Sequence, residues 1–108
     1  MPKRGEVWWV NSDPSVGREI RKQRPAVVVS NDAANRHLNR VQVVLLSSQV
    51  AKIYPSEALV SFQGKPGKAM AAQLTTVSKL RLIRCGGELG DVEMDGVARA
   101  IRIQLGMT

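Results

Sequence analysis

The side chains that most often do chemistry are scarce in this sequence. It holds one histidine, His37, and one cysteine, Cys85. His37 sits in a polar stretch, where a lone imidazole is more often a surface group than a general base. Cys85 precedes two glycines and reads as an unreactive thiol. No cluster of His, Cys and carboxylates offers the ligands a catalytic metal needs, so no metal or other cofactor is expected. No glycine-rich loop ends in Lys-Ser or Lys-Thr, which argues against nucleotide hydrolysis of the P-loop type. Arginines, hydroxyls, amides and isolated carboxylates remain. Those groups suffice for cleavage of RNA by its own 2′-hydroxyl. The substrate then carries the nucleophile, and the protein must align the phosphodiester, stabilise its charge and move protons. Arginine suits the charge role because its planar fork donates paired bonds to phosphate oxygens. It is a poor general base, because it hardly deprotonates.

The charge balance points the same way. Sixteen Lys and Arg stand against nine Asp and Glu, a net charge of +7 on 108 residues. A partner rich in phosphate is the leading expectation. The alternative is that the excess only keeps a small domain soluble. Arg18, Arg21, Lys22 and Arg24 fall close together between two apolar stretches, so they read as a loop on a folded scaffold.

The elements that must carry these residues are short. The length predicts one domain over residues 1–108, and the 44% of hydrophobic residues is enough for one core. No apolar run approaches the ~20 residues of a membrane span, and no secretory leader is evident, so a cytoplasmic location is expected. Gly5 to Val10 reads as a strand, in which Trp8 and Trp9 must face opposite sides. One can fill the core while the other faces a groove or a partner. A basic loop follows, then a continuous apolar strand from Pro25 to Ser30. Asn31-Asp32 is a turn or helix cap before a short helix over Ala33 to Leu38. Val41 to Leu46 is a buried strand ending in Ser47-Ser48-Gln49. Glu57 to Phe62 is a strand, Gly64-Lys65-Pro66-Gly67 a turn, Lys68 to Gln73 a strand and Ser78 to Arg84 a weaker one. Cys85-Gly86-Gly87 breaks the pattern. Met94, Val97, Ala98, Ile101 and Leu105 then form the stripe of an amphipathic helix, capped by Asp91 and stopped by Gly106. The tally is mainly β with helices: a small antiparallel barrel with a C-terminal amphipathic helix.

Several segments line up with one family. Gly5-Glu6-Val7-Trp8-Trp9-Val10, then Asp13-Pro14 and Gly17-Arg18-Glu19, then Gln23 through Asp32 resemble the N-terminal half of the MazF/PemK toxins. Ser47-Ser48-Gln49, Ala72-Gln73-Leu74, Lys79-Leu80-Arg81-Leu82 and the C-terminal helix follow in the same order. The resemblance spans nearly the whole chain. It implies an SH3-like barrel that forms a homodimer. It also implies a metal-independent, sequence-specific endoribonuclease that leaves 2′,3′-cyclic phosphate and 5′-hydroxyl ends. The implied partners are single-stranded RNA and a cognate acidic antitoxin.

The resemblance assigns roles residue by residue. Arg24 matches the family's catalytic arginine before proline. Ser47 matches a position where many relatives carry Thr, and the hydroxyl is kept. Glu19 matches an acidic position before the arginine, where it acts as a base or orients Arg24. Gln73 matches a glutamine that lies near RNA. Asn31 and Gln49 are further candidates for RNA contact, as are Arg18, Arg21, Lys22 and Trp8. Ala72 stands where relatives often carry Asp or Glu, and Thr75 where a basic residue is common. Both departures alter the groove, so no recognition sequence transfers from a relative. The alternative reading is a non-catalytic nucleic-acid-binding barrel.

Overall fold

The computed structural model describes residues 2–11 and 23–108. Six strands form one antiparallel sheet: β1 (Glu6–Asn11), β2 (Gln23–Val28), β3 (Arg40–Ser47), β4 (Glu57–Phe62), β5 (Lys65–Ser78) and β6 (Leu82–Glu88). Their order across the sheet is β4-β5-β3-β2-β1-β6. A short helix α1 (Asp32–His37) joins β2 to β3, and α2 (Asp91–Gln104) closes the chain. The sheet curls as a half-barrel, as the alternation of short strands predicts.

Side-chain alternation gives the sheet two apolar faces. On one face Val7, Val27, Val44, Leu46, Ala58, Val60 and Ala69 form a buried cluster with Val97 and Ala100 of α2. On the other face Val10, Ala26, Val28, Val41, Val43 and Val77 form a second cluster, against which Trp8, Leu45 and Leu82 pack. Trp9 and Phe62 share the first face with Val7 and Val60, beyond the part that α2 covers.

Several elements differ from their sequence-based expectation. Ser78 closes β5, Lys79–Arg81 form a 3-10 turn, and the strand expected over Ser78 to Arg84 runs only from Leu82, as β6. The turn after β4 is the pair Gln63-Gly64, both at positive φ (54° and 77°), as a two-residue type I′ hairpin requires. β5 therefore starts at Lys65 and runs through Pro66 and Gly67. In such a hairpin the flanking pair Phe62–Lys65 exchanges hydrogen bonds, and the next pair, Ser61–Pro66, does not. The missing N–H of Pro66 thus costs the ladder nothing. Cys85-Gly86-Gly87 is likewise inside a strand. Val7 pairs with Gly87 and Trp8 with Cys85, so Gly86 is the extra residue of a β-bulge. The helix cap is Gly90 rather than Asp91. Glu93 Oε1 accepts from Gly90 N at 3.1 Å, and Glu93 Oε2 accepts from Ser61 N at 2.6 Å, which ties α2 to β4.

The sheet's two edges, β4 and β6, approach each other at the hairpin tip. The Phe62 ring lies 5.9 Å from that of Trp9, and Gln63 Nε2 donates to Gly86 O at 3.3 Å. A Cβ at Gly86 would sit 2.9 Å from the Phe62 ring and 3.0 Å from Trp9 Nε1. Only a bare backbone permits this closure.

Candidate active site

The strand ends that the resemblance singles out converge. Arg24 is the second residue of β2, one position before Pro25, and pairs with Val10. Ser47 ends β3 and pairs with Lys68 of β5. Its approach to β5 is close, because a Cβ at Gly67 would lie 3.1 Å from Ser47 O. The β3–β5 register then shifts: Leu46 pairs with Ala69 but Val44 with Leu74. Met70 to Gln73 bow out of the ladder there and carry Gln73 toward the end of β3.

Arg24, Ser47, Gln49 and Gln73 all line one open cleft of about 770 Å³. Its floor and walls are Trp9, Pro25, Leu46, Phe62, Pro66 and Met70, and Gln23, Gln63 and Lys65 add polar groups. Among the described lining residues there is no carboxylate and there are two cations, Arg24 and Lys65. Arg84 adds a third positive charge nearby, with its guanidinium 5.1 Å from the Trp9 ring centre. Such a cleft favours an anion with apolar parts.

Arg24 is exposed, and its guanidinium has no partner among the described residues. Among the described residues, none engages its five donors. The Ser47 hydroxyl oxygen accepts from Gln49 N at 3.0 Å. That bond fixes the oxygen and leaves the hydroxyl hydrogen to donate. The bond also orders the Ser47-Ser48-Gln49 corner that faces the cleft. Among the described residues, no group of three or more His, Cys, Asp or Glu side chains lies close enough together to hold a metal ion.

Two expected contacts lie elsewhere. Trp8 packs against the second core cluster and donates from Nε1 to Glu6 Oε1 at 3.0 Å. Trp9 is the tryptophan that lines the cleft. Asn31 is the N-cap of α1, where its Oδ1 accepts from Ala34 N at 2.8 Å. Arg18, Glu19, Arg21 and Lys22 lie outside the described residues. Ala72 and Thr75 are exposed on β5. The sequence reading missed Trp9, Gln23, Phe62, Gln63 and Lys65. Both tryptophans stand two residues from a core valine, Trp9 from Val7 and Trp8 from Val10, so spacing alone does not choose between them.

A family model described as the PemK-like, MazF-like toxin of type II toxin–antitoxin systems matches residues 3–105. The chain belongs to this family. Among relatives, Endoribonuclease MazF9 of Mycobacterium tuberculosis is 38% identical over 97% of each chain. The Endoribonuclease toxin MazF of Escherichia coli is 30% identical over 98% of this chain and 96% of its own. A solved mycobacterial endoribonuclease, in complex with its cognate antitoxin, superposes with a TM-score of 0.84 at 25% identity. That match covers 100% of this chain and 98% of the other. MazF from Deinococcus radiodurans superposes with a TM-score of 0.80 at 28% identity, covering 98% and 97%. Family membership gives the cleft its context: it is the concave, cationic feature of a toxin-family barrel.

Proposed function

We propose that this MazF-like toxin is an endoribonuclease that cuts single-stranded RNA in its cleft without a metal ion. The observation that carries this reading is the meeting of Arg24, Ser47 and Gln73 in one cleft whose described lining has no carboxylate. The nucleophile is the RNA's own 2′-hydroxyl. Its proton leaves to a base, O2′ bonds to phosphorus, and the P–O5′ bond breaks. O5′ takes up a proton, which yields a 2′,3′-cyclic phosphate and a 5′-hydroxyl. Arg24 binds the non-bridging oxygens and stabilises the extra charge of the pentacoordinate state. The Ser47 hydroxyl donates to the phosphate or relays a proton. Glu19 serves as base or orients Arg24. Gln49, Gln73, Arg18, Arg21 and Lys22 contact RNA.

Single strands are the substrate because their bases splay into a cleft, whereas a duplex hides them. Two copies of the chain form the working unit in the cytoplasm. A cognate acidic antitoxin, partly disordered until bound, covers the same cations, with an affinity that weakens as salt rises.

Cleavage of a randomised single-stranded RNA pool in EDTA, followed by end-group determination, tests this reading. Cyclic phosphate ends and a sequence preference are expected. RNA left intact across the pool, or cleavage only with a divalent metal, would overturn it.

A further inference from the structure

Arg24, Ser47, Gln49 and Gln73 account for only part of the cleft. The β4–β5 hairpin and β1 supply Trp9, Phe62, Gln63, Lys65 and Pro66. We propose that this part is a nucleobase subsite: a base lies against the partly exposed Phe62 ring, and the Gln63 amide reads its edge. Lys65 meets the adjoining phosphate. The subsite rests on the ribonuclease reading and names how that enzyme selects its sequence.

The wall is preset. Trp9 has a tilted Phe62 ring 5.9 Å away at 51° and the Arg84 guanidinium 5.1 Å from its ring centre. Phe62 and Trp9 both remain partly exposed, although the same sheet face is fully covered where α2 packs. Every base has an apolar π-face, so an open aromatic wall beside cations suits a single-stranded nucleic acid.

Gln63 is an unexpected residue at its position. It is the one non-glycine at positive φ among the described residues, in a hairpin that favours Asn-Gly or Gly-Gly. The longer side chain reaches across to β6, where Nε2 donates to Gly86 O. A carbonyl on that side requires a donor, so the amide's orientation is set. Oε1 and the second N–H have no partner among the described residues. A glutamine amide offers a donor and an acceptor side by side, which matches the edge of a base.

Gly86 joins the parts. Its missing Cβ would sit 2.9 Å from Phe62, 3.0 Å from Trp9 Nε1 and 3.2 Å from Gln63 Nε2. The wall and the reading group therefore meet at one bare backbone position, where the sheet edges also close. A rival role for Gln63 is a clasp between β4 and β6 that never touches substrate. The two roles differ in what they do to sequence preference.

The test begins with the wild-type protein and RNA substrates in which one nucleotide at a time is made abasic. One position besides those flanking the cut is expected to raise KM most. Gln63→Ala is then compared with wild type on a randomised pool. Discrimination among bases at that same position should fall at least about fivefold, with preferences elsewhere retained. Gln63→Glu presents only acceptors when ionised, and should shift the preference toward bases offering an N–H there. An unchanged profile in both variants, or equal flattening at every position, would overturn the subsite and leave the ribonuclease reading intact. If Gln63→Ala fails to fold, an abasic scan showing no sensitive position beyond the cut overturns it instead. Wild-type protein that cuts no RNA removes the ribonuclease reading and the subsite with it.

Discussion

Lys68 lies opposite Ser47 across the β3–β5 ladder, and its ammonium is 2.9 Å from Glu57 Oε1. The same nitrogen donates to Lys52 O at 3.0 Å and sits 5.7 Å from the Tyr54 ring centre. The residue paired with Ser47 thus also anchors the loop that leaves it. Lys68 is only 8% exposed, so its charge is held out of water by design of these partners. Removing it strands a carboxylate that is itself mostly covered.

Lys68→Met should therefore destabilise the protein by about 3 kcal/mol, and Lys68→Met with Glu57→Gln should recover most of that loss. Chemical denaturation of the four proteins closes the cycle. Independent, additive effects would show that the pair is not coupled.

Acid should expose the same pair. The Tyr54 N–H, more than Lys68, holds the Glu57 carboxyl below its ordinary value. A depressed carboxylate contributes stability that is fully present above the carboxyl's ordinary, unfolded value. That contribution is lost as pH falls through the folded value. The melting temperature should drop less steeply on acidification in Glu57→Gln than in wild type. Parallel curves would show that Glu57 contributes nothing to the acid response.

Asn31 is expected to matter for stability and not for RNA. Its side chain caps α1 through Ala34 N. Asn31→Ala should cost about 1 kcal/mol, and Asn31→Ser should restore most of it. RNA affinity measured on the same variants should stay at the wild-type value. A selective loss of affinity with unchanged stability would return Asn31 to the RNA contacts.

Arg24→Ala separates catalysis from binding. A charge-stabilising group acts mainly in the transition state, so turnover should fall by about 100-fold or more. Affinity should fall far less, because one phosphate contact among several is lost. Equal losses in both would describe a binding residue.

The legible parts of this molecule were those that depend on local chemistry. Arg24 before Pro25 and Ser47 at a strand end carry their signal in residue type and neighbours. The α2 stripe from Met94 to Ile101 carries its signal in spacing. What the sequence concealed depends on closure. Pro66 and Gly67 look like a turn until the hydrogen-bond parity of the Gln63-Gly64 hairpin is known. Gly86 looks like a strand breaker, yet it is the bulge against which Phe62 and Trp9 pack. The choice between Trp8 and Trp9 turns on which sheet face borders the cleft, and adjacent residues in a strand give no local sign of that. Gln63 reaches Gly86 because β4 meets β6, two strands at opposite ends of the sheet order.

The RNA's own role as nucleophile, in a cleft led by Arg24, is open to a chemical test with two oligonucleotides of the sequence this enzyme cuts. They are identical except for a 2′-deoxy sugar on the 5′ side of the cut. The expected result is cleavage of the ribo form to a 2′,3′-cyclic phosphate, with the deoxy form bound at similar affinity and left intact. Cleavage of the deoxy linkage at a comparable rate would contradict it.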